Sequence, residues 1–134
     1  MVKIYEMCGT SVDKEVNGTV VEYGDAKITL ARAGGRNHRF AETLSKKLQP
    51  YRRAASNGTL PPETDRKLLI EVYAETVVLG WENILDQDGS PIPCNKQNII
   101  KVFTDLPDFF RDIQELANSV TTFREQDIDD AVKN

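Results

Sequence analysis

RKLLIEVYAETVVLGWENI, residues Arg66–Ile84, carries the most regular apolar pattern in the chain. Leu69, Val72, Tyr73, Thr76, Val77 and Gly80 fall at i, i+3, i+4, i+7, i+8 and i+11, one helical face. Leu68, Ile70, Ala74, Val78, Leu79 and Trp81 widen that face and leave Lys67, Glu71, Glu75 and Glu82 as a narrow charged stripe. The pattern predicts a central helix over about residues 62–85. Pro61-Pro62-Glu63 opens it, with Asp65 in the first turn, where proline fits and acids complement the helix dipole. The turn cluster Asp86–Pro91 closes it. A helix so broadly apolar is the buried centre of a small domain. Trp81 near its end has two readings. It either caps the core, its indole N–H then needing an acceptor, or stands out as an anchor for a partner.

A chain of 134 residues, 40% hydrophobic and 28% charged, is large enough for one hydrophobic core and reads as soluble and globular. No apolar run approaches the roughly 20 residues that span a bilayer. Met1–Glu6 lacks the apolar stretch of a signal peptide, so the chain is expected to stay in the cytoplasm where it is made. Cys8 and Cys94 stand far apart, without the close ligand pairs of a zinc site, and are read as reduced, inert thiols.

The net charge of -4 conceals an asymmetry. Lys27–Arg53 holds eight basic residues and one acid, Glu42, whereas Val102–Val132 holds eight acids and two bases. Such a chain can attract an oppositely charged partner, self-associate head to tail, or pair its own halves.

Taken in order, Lys3–Met7 alternates weakly, in the manner of a strand. Thr19–Tyr23 and Ala26–Arg32 are β-prone and joined by the two-residue loop Gly24-Asp25, a hairpin over about 19–32 in which Ile28 and Leu30, with Ala26 as a further candidate, face one way and Lys27, Thr29 and Ala31 the other. A lone hairpin is marginal in water and has to pack on the helices. A helix over about 37–55 presents Phe40, Leu44 and Leu48 and is stopped or kinked at Pro50. Asn95 caps a short helix, 95–103, with Ile99, Ile100 and Phe103 inward. A last helix, 106–123, has Thr104 or Asp105 as its cap and Pro107 in its first turn. It carries Phe109, Phe110, Ile113, Leu116, Ala117, Val120 and Phe123. Residues 1–123 read as a single domain and 124–134 as a mobile acidic tail. The expected fold is α+β and mostly α: an N-terminal β-hairpin packed on a bundle of about four helices.

No motif for chemistry is complete in the sequence. His38, the one histidine, lies in a basic segment without a nucleophile motif. Asp86-x-Asp88-Gly89 opens like a calcium loop, but its glycine comes two residues early and Gln97 stands where the loop requires glutamate. It reads as a turn. Gly34-Gly35-Arg36 lacks phosphate-loop spacing and reads as a sharp strand-to-helix turn. The run Arg32–Arg53 has the charge for nucleic acid, with Phe40 or Tyr51 available to stack on bases. Overall acidity and the lack of a reading helix weigh against that. Phe109-Phe110 and Phe123 are either core or a partner groove. Adjacent phenylalanines cannot both point inward from one helix, so at least one is expected near the surface or against the acidic tail, another helix or a partner. The residues thus suggest a non-enzymatic binding domain with no catalytic, cofactor or metal residues. Its candidate partner contacts are Trp81, Phe109, Phe110, Phe123, Arg36 and Arg39.

An ordered set of segments resembles the bacteriophage tail assembly chaperones of long-tailed phages. It comprises Glu22-Tyr23-Gly24-Asp25, Ala31–Gly35 with Asn37, Leu69–Thr76, Gly80-Trp81, and Asp88-Gly89 with Ile92-Pro93. Asn95-Lys96 with Asn98, Leu106-Pro107-Asp108 with Phe110, and Ala131–Asn134 follow. The resemblance implies a non-enzymatic protein of the host cytoplasm, absent from the mature virion. Such a protein binds the tape-measure protein and helps recruit tail-tube protein. It carries no catalytic residues over. Two other classes stay open: a permanent tail or head-completion protein of the virion, and a nucleic-acid-binding regulator.

Overall fold

A computed structural model describes residues 1–125. Two short helices come first, α1 (Ile4–Cys8) and α2 (Val12–Asn17), and then the strands β1 (Thr19–Tyr23) and β2 (Ala26–Leu30). Helix α3 (His38–Leu48), a 3-10 turn at Gln49–Tyr51 and α4 (Arg52–Ser56) lead to the central helix α5 (Pro62–Thr76) and strand β3 (Val78–Glu82). Helices α6 (Lys96–Asp105) and α7 (Pro107–Asn118) and a 3-10 turn at Val120–Phe123 complete the described chain. The fold is α+β, with helices packed on a small antiparallel sheet of order β1-β2-β3.

The hairpin forms as expected. Tyr23 pairs with Ala26 across Gly24-Asp25, and only Gly24 of the two central residues has positive φ (60°), the signature of a type II′ turn. In β2, Ala26, Ile28 and Leu30 are buried while Lys27 is exposed. The break at Pro50 also falls as expected: α3 stops at Leu48 and the chain resumes as α4 after one tight turn. Asn95 caps α6 by accepting a hydrogen bond from the Asn98 amide, 2.9 Å.

Four expectations are corrected. The central helix does not reach residue 85: it ends at Thr76, and Val78–Glu82 is a third strand. The apolar run Leu68–Trp81 satisfies a helical period and a buried strand alike. What decides is the β-branched run Thr76-Val77-Val78 and Gly80, which costs a helix interior about 1 kcal/mol. Antiparallel pairing with β2 (Lys27 to Glu82, Ile28 to Trp81, Thr29 to Gly80, Leu30 to Val78) completes the switch. Leu79 is left unmatched as a bulge and is 41% exposed. Second, Lys3–Met7 is not a strand. Among the described residues it pairs with no strand, and Ile4–Cys8 curls instead into a helical turn with no buried residue. Third, the last helix stops at Asn118, ahead of the β-branched run Val120-Thr121-Thr122. Neither Thr104 nor Asp105 caps it: Leu106 holds the cap position, and the Thr104 hydroxyl donates back to the Ile100 carbonyl, 2.7 Å. Fourth, the acidic tail does not begin at residue 124. Arg124 bridges to Thr10, its carbonyl accepts from Lys14 Nζ at 2.9 Å, and the Glu125 amide donates to Gly9. The rest of that tail lies outside the described residues.

The core lies between the sheet and α5, α6 and α7. Ile28 and Leu30 from β2 meet Ile70, Tyr73 and Val77 at the centre, with Phe103 from α6 and Phe110, Ile113 and Ala117 from α7. Tyr73 stands edge-on to both Phe40 (5.7 Å) and Phe110 (5.2 Å). Among the described residues no helix is long and apolar enough to cross a membrane.

The segment that leaves β2, Ala31–Asn37, ties these layers together. The amides of Ala31, Arg32 and Ala33 donate to the carbonyls of Val77, Glu15 and Ala117, at 2.8, 2.9 and 3.0 Å. The buried Asn37 amide reaches the carbonyls of Arg32 (2.9 Å) and Thr76 (3.1 Å), which satisfies an orphan acceptor at the end of α5. Glu15, 1% exposed, takes Arg32 on one carboxylate oxygen and Arg36 on the other, the latter at 2.7 Å. Burial on its own would raise the Glu15 carboxyl. The hydrogen bonds and charges of the two guanidinium groups outweigh it and hold the carboxyl below its ordinary value of 4.5. Gly35, at φ +54°, is obligatory here, because a Cβ would collide with the Glu15 carboxylate and the Arg32 side chain.

Glu15→Gln leaves two guanidinium groups without a counter-charge beside a buried amide. It is expected to destabilise the fold by about 3 kcal/mol at pH 7 in urea denaturation. Because the folded-state pKa is depressed, the charge-dependent stabilisation is present above pH 4.5 and lost as pH falls through the folded value. The gap between wild type and variant is therefore flat across neutral pH and narrows below 4.5.

Candidate interaction surface

A cleft of about 770 Å³ is built by four parts of the chain. The turn between β1 and β2 supplies Tyr23, Asp25 and Ala26. The loop after β3 supplies Ile84, Leu85, Asp86 and Ile92, while α6 supplies Lys101, Val102 and Asp105. Leu106 and Phe109 come from the start of α7.

Each wall is positioned by identifiable bonds. Asn83 adopts a left-handed backbone (φ 63°), which asparagine tolerates, and its side-chain amide donates to the Asp25 carbonyl at 3.2 Å, tying the loop to the hairpin turn. The loop closes on itself through Ile92 N–H to Ile84 carbonyl (2.8 Å) and Asp86 N–H to Ser90 carbonyl (2.8 Å). Asp88 accepts from the Ser90 amide and hydroxyl. Asp86–Ser90 is accordingly a turn, as its composition suggests. The Trp81 indole N–H donates to the Ile92 carbonyl at 2.8 Å and pins the loop against β3. On the far side, the Tyr23 hydroxyl donates to the Asp112 carboxylate, and its ring lies 5.2 Å from Phe109. The hydrogen bond to Asp112, with burial and the charges of Asp112 and Asp108 adding to it, raises the Tyr23 phenol.

The cleft combines an apolar floor with acidic edges. Ile84, Ile92 and Phe109 are half-buried, Val102 is buried, and Leu85 and Leu106 are 56% and 54% exposed. Asp25, Asp86 and Asp105 stand around them, and Lys101 pairs with Asp105 at 3.1 Å.

The six residues singled out from sequence separate. Phe109 faces the cleft, and half-buried Trp81 stands behind its loop. Phe110 (3% exposed) packs on Tyr73 and Phe103, and Phe123 (0%) is fully enclosed, which removes both from any surface. The adjacent phenylalanines do divide across the helix, one inward and one toward the cleft, and both touch Phe103. Arg36 is engaged by Glu15 and Thr10, and Arg39 donates to the Glu75 carbonyl at 3.1 Å. More of the basic segment is paired inside the chain: Lys47 reaches Glu71 (3.5 Å) and Glu75 (3.2 Å). Leu85, Leu106 and Tyr23 were not legible as a surface. Their one signal is a large apolar residue beside a chain reversal or a helix boundary, and that has too many structural causes to single them out.

Cys8 is exposed and Cys94 half-buried. Burial raises the Cys94 thiol, and a backbone hydrogen bond with Trp81 offsets only part of that rise. His38 is exposed at the first position of α3.

Residues 35–134, about three quarters of the chain, match the family model described as YdaY prophage protein, and the chain belongs to that family. No curated protein and no solved structure matches it.

Trp81→Phe keeps the ring packing and removes the donor to Ile92. The unpaired carbonyl is expected to lower stability by about 1 kcal/mol in urea denaturation followed by circular dichroism. Hydrogen exchange of the Ile84–Ile92 loop amides is expected to quicken, while exchange in α5 quickens only as far as global stability is lost.

Proposed function

We propose that this chain, a member of the YdaY prophage protein family, is a phage tail assembly chaperone. In this reading it binds the tape-measure protein, assists recruitment of tail-tube protein, acts in the host cytoplasm, and is left out of the finished particle. The role is non-enzymatic. Its supports are the ordered resemblance to tail assembly chaperones and one structural observation. Leu85 and Leu106, each more than half exposed, share a cleft with Phe109 and carboxylates. An apolar surface with a charged edge suits transient capture of a long helical protein that would otherwise aggregate.

A permanent structural role in the virion is the competing reading. The nucleic-acid reading has less to draw on, because Arg32, Arg36 and Lys47 are engaged with carboxylates of the same chain.

Tagged chain co-expressed with the tape-measure protein of the same prophage is expected to render that protein soluble and to co-elute with it. Purified particles are expected to lack the chain by mass spectrometry. An insoluble, unbound tape-measure protein, or stoichiometric chain in particles, would overturn the chaperone reading in favour of a virion component.

A further inference from the structure

We infer that the cleft between the β1–β2 turn, the Asn83–Ile92 loop and the α6–α7 junction is a docking groove for an amphipathic helix with basic flanks. The inference deepens the chaperone reading and rests on it for the identity of the partner alone; the chemistry of the occupant comes from the groove. Three observations converge.

The first is shape. Walls from separate parts of the chain enclose about 770 Å³, room for several large side chains of one helix face presented at i, i+3, i+4 and i+7.

The second is unmet apolar surface. Tyr73, Phe103 and Phe110 are closely packed in the core nearby, yet Leu85 and Leu106 are more than half in water and share the groove with Phe109. Neither leucine is needed to fill the core. Both are placed to close over an inserted side chain.

The third is charge. Asp25, Asp86 and Asp105 line the groove against one cation, Lys101, which is already paired with Asp105. Among the described residues Asp25 and Asp86 have no ion-pair partner. An acidic flank on the incoming helix would meet a surplus of like charge, three carboxylates against Lys101, whereas lysine or arginine there meets opposite charge at the edge of an apolar contact. The groove thus discriminates by sign as well as by shape.

The test uses the full chain and two synthetic helical peptides of about 18 residues, long enough to hold a helix. Both carry leucine along one face, with lysine on the flanks of one and glutamate on the flanks of the other. Trp81, the single tryptophan, is the reporter, because its indole N–H is bonded to the Ile92 carbonyl in the groove wall. The lysine peptide is expected to bind saturably at one site, more weakly as salt screens its flanks, and at least about tenfold more tightly than the glutamate peptide. Leu85→Gln with Leu106→Gln changes two exposed side chains and no charge. It is expected to reduce affinity for the lysine peptide about tenfold or more.

Equal binding of the two peptides, undiminished binding by the double variant, or no saturable binding would overturn the inference. The two readings fail separately. If the lysine peptide binds as expected but the tape-measure protein does not co-elute, the groove stands and the chaperone reading falls. If the tape-measure protein co-elutes equally with wild type and the double variant, the chaperone reading stands and the groove is refuted.

Discussion

A buried carboxylate between two guanidinium groups is the contact on which the rest of the architecture depends. Glu15 sits with almost no solvent exposure, and Arg32 and Arg36 neutralise it from a segment that also bonds to the ends of α5 and α7. Taking a carboxylate out of water costs several kcal/mol, so the arrangement is stable only with both arginines in place and Gly35 leaving room for them. Once formed, it fixes the exit of β2 and, through β2, the whole sheet. Strand β2 is central, and its two ends have different tasks. One enters the Glu15 junction; the other, at Asp25 and Ala26, forms a wall of the acidic cleft. A rigid strand thereby holds the interaction surface relative to the core.

The charge asymmetry of the chain acquires a meaning in this light. Within the basic segment, Arg32 and Arg36 are neutralised by Glu15, and Lys47 by Glu71 and Glu75. Glu75 shows the same balance as Glu15: burial pushes its carboxyl up, and Lys96 and Lys47 together pull it lower. Several acids of the second half lie at or near the cleft instead, Asp105 in its lining and Asp112 on the Tyr23 hydroxyl. The cleft is acidic and apolar, although the basic run is the more conspicuous feature of the sequence.

Elements with local causes were legible. Gly24-Asp25 closes a two-residue hairpin, Pro50 breaks a helix and Asn95 caps one, each through chemistry within a few residues. Strand β3 was not, because Leu68–Trp81 fits a helix until β2 is present to pair with it. Glu15 was not, since nothing near it in sequence announces arginines 17 and 21 residues away. The surface was half legible. The Phe109-Phe110 pair correctly implied one outward ring, but Leu85 and Leu106 become neighbours of that ring only through tertiary packing. Phe123, which the sequence leaves open as core or partner groove, is core because the Val120–Phe123 turn folds it inward, where its carbonyl also receives the Ser11 amide at 2.9 Å.

The most direct test of the account is a hydrogen-exchange footprint of the full chain with and without the co-expressed tape-measure protein. New protection is expected at Asn83–Ile92, across the β1–β2 turn and at Lys101–Phe109, with α3 and α4 unchanged. Protection confined to α3 and α4, or spread over the whole fold with no excess at the cleft, would contradict it.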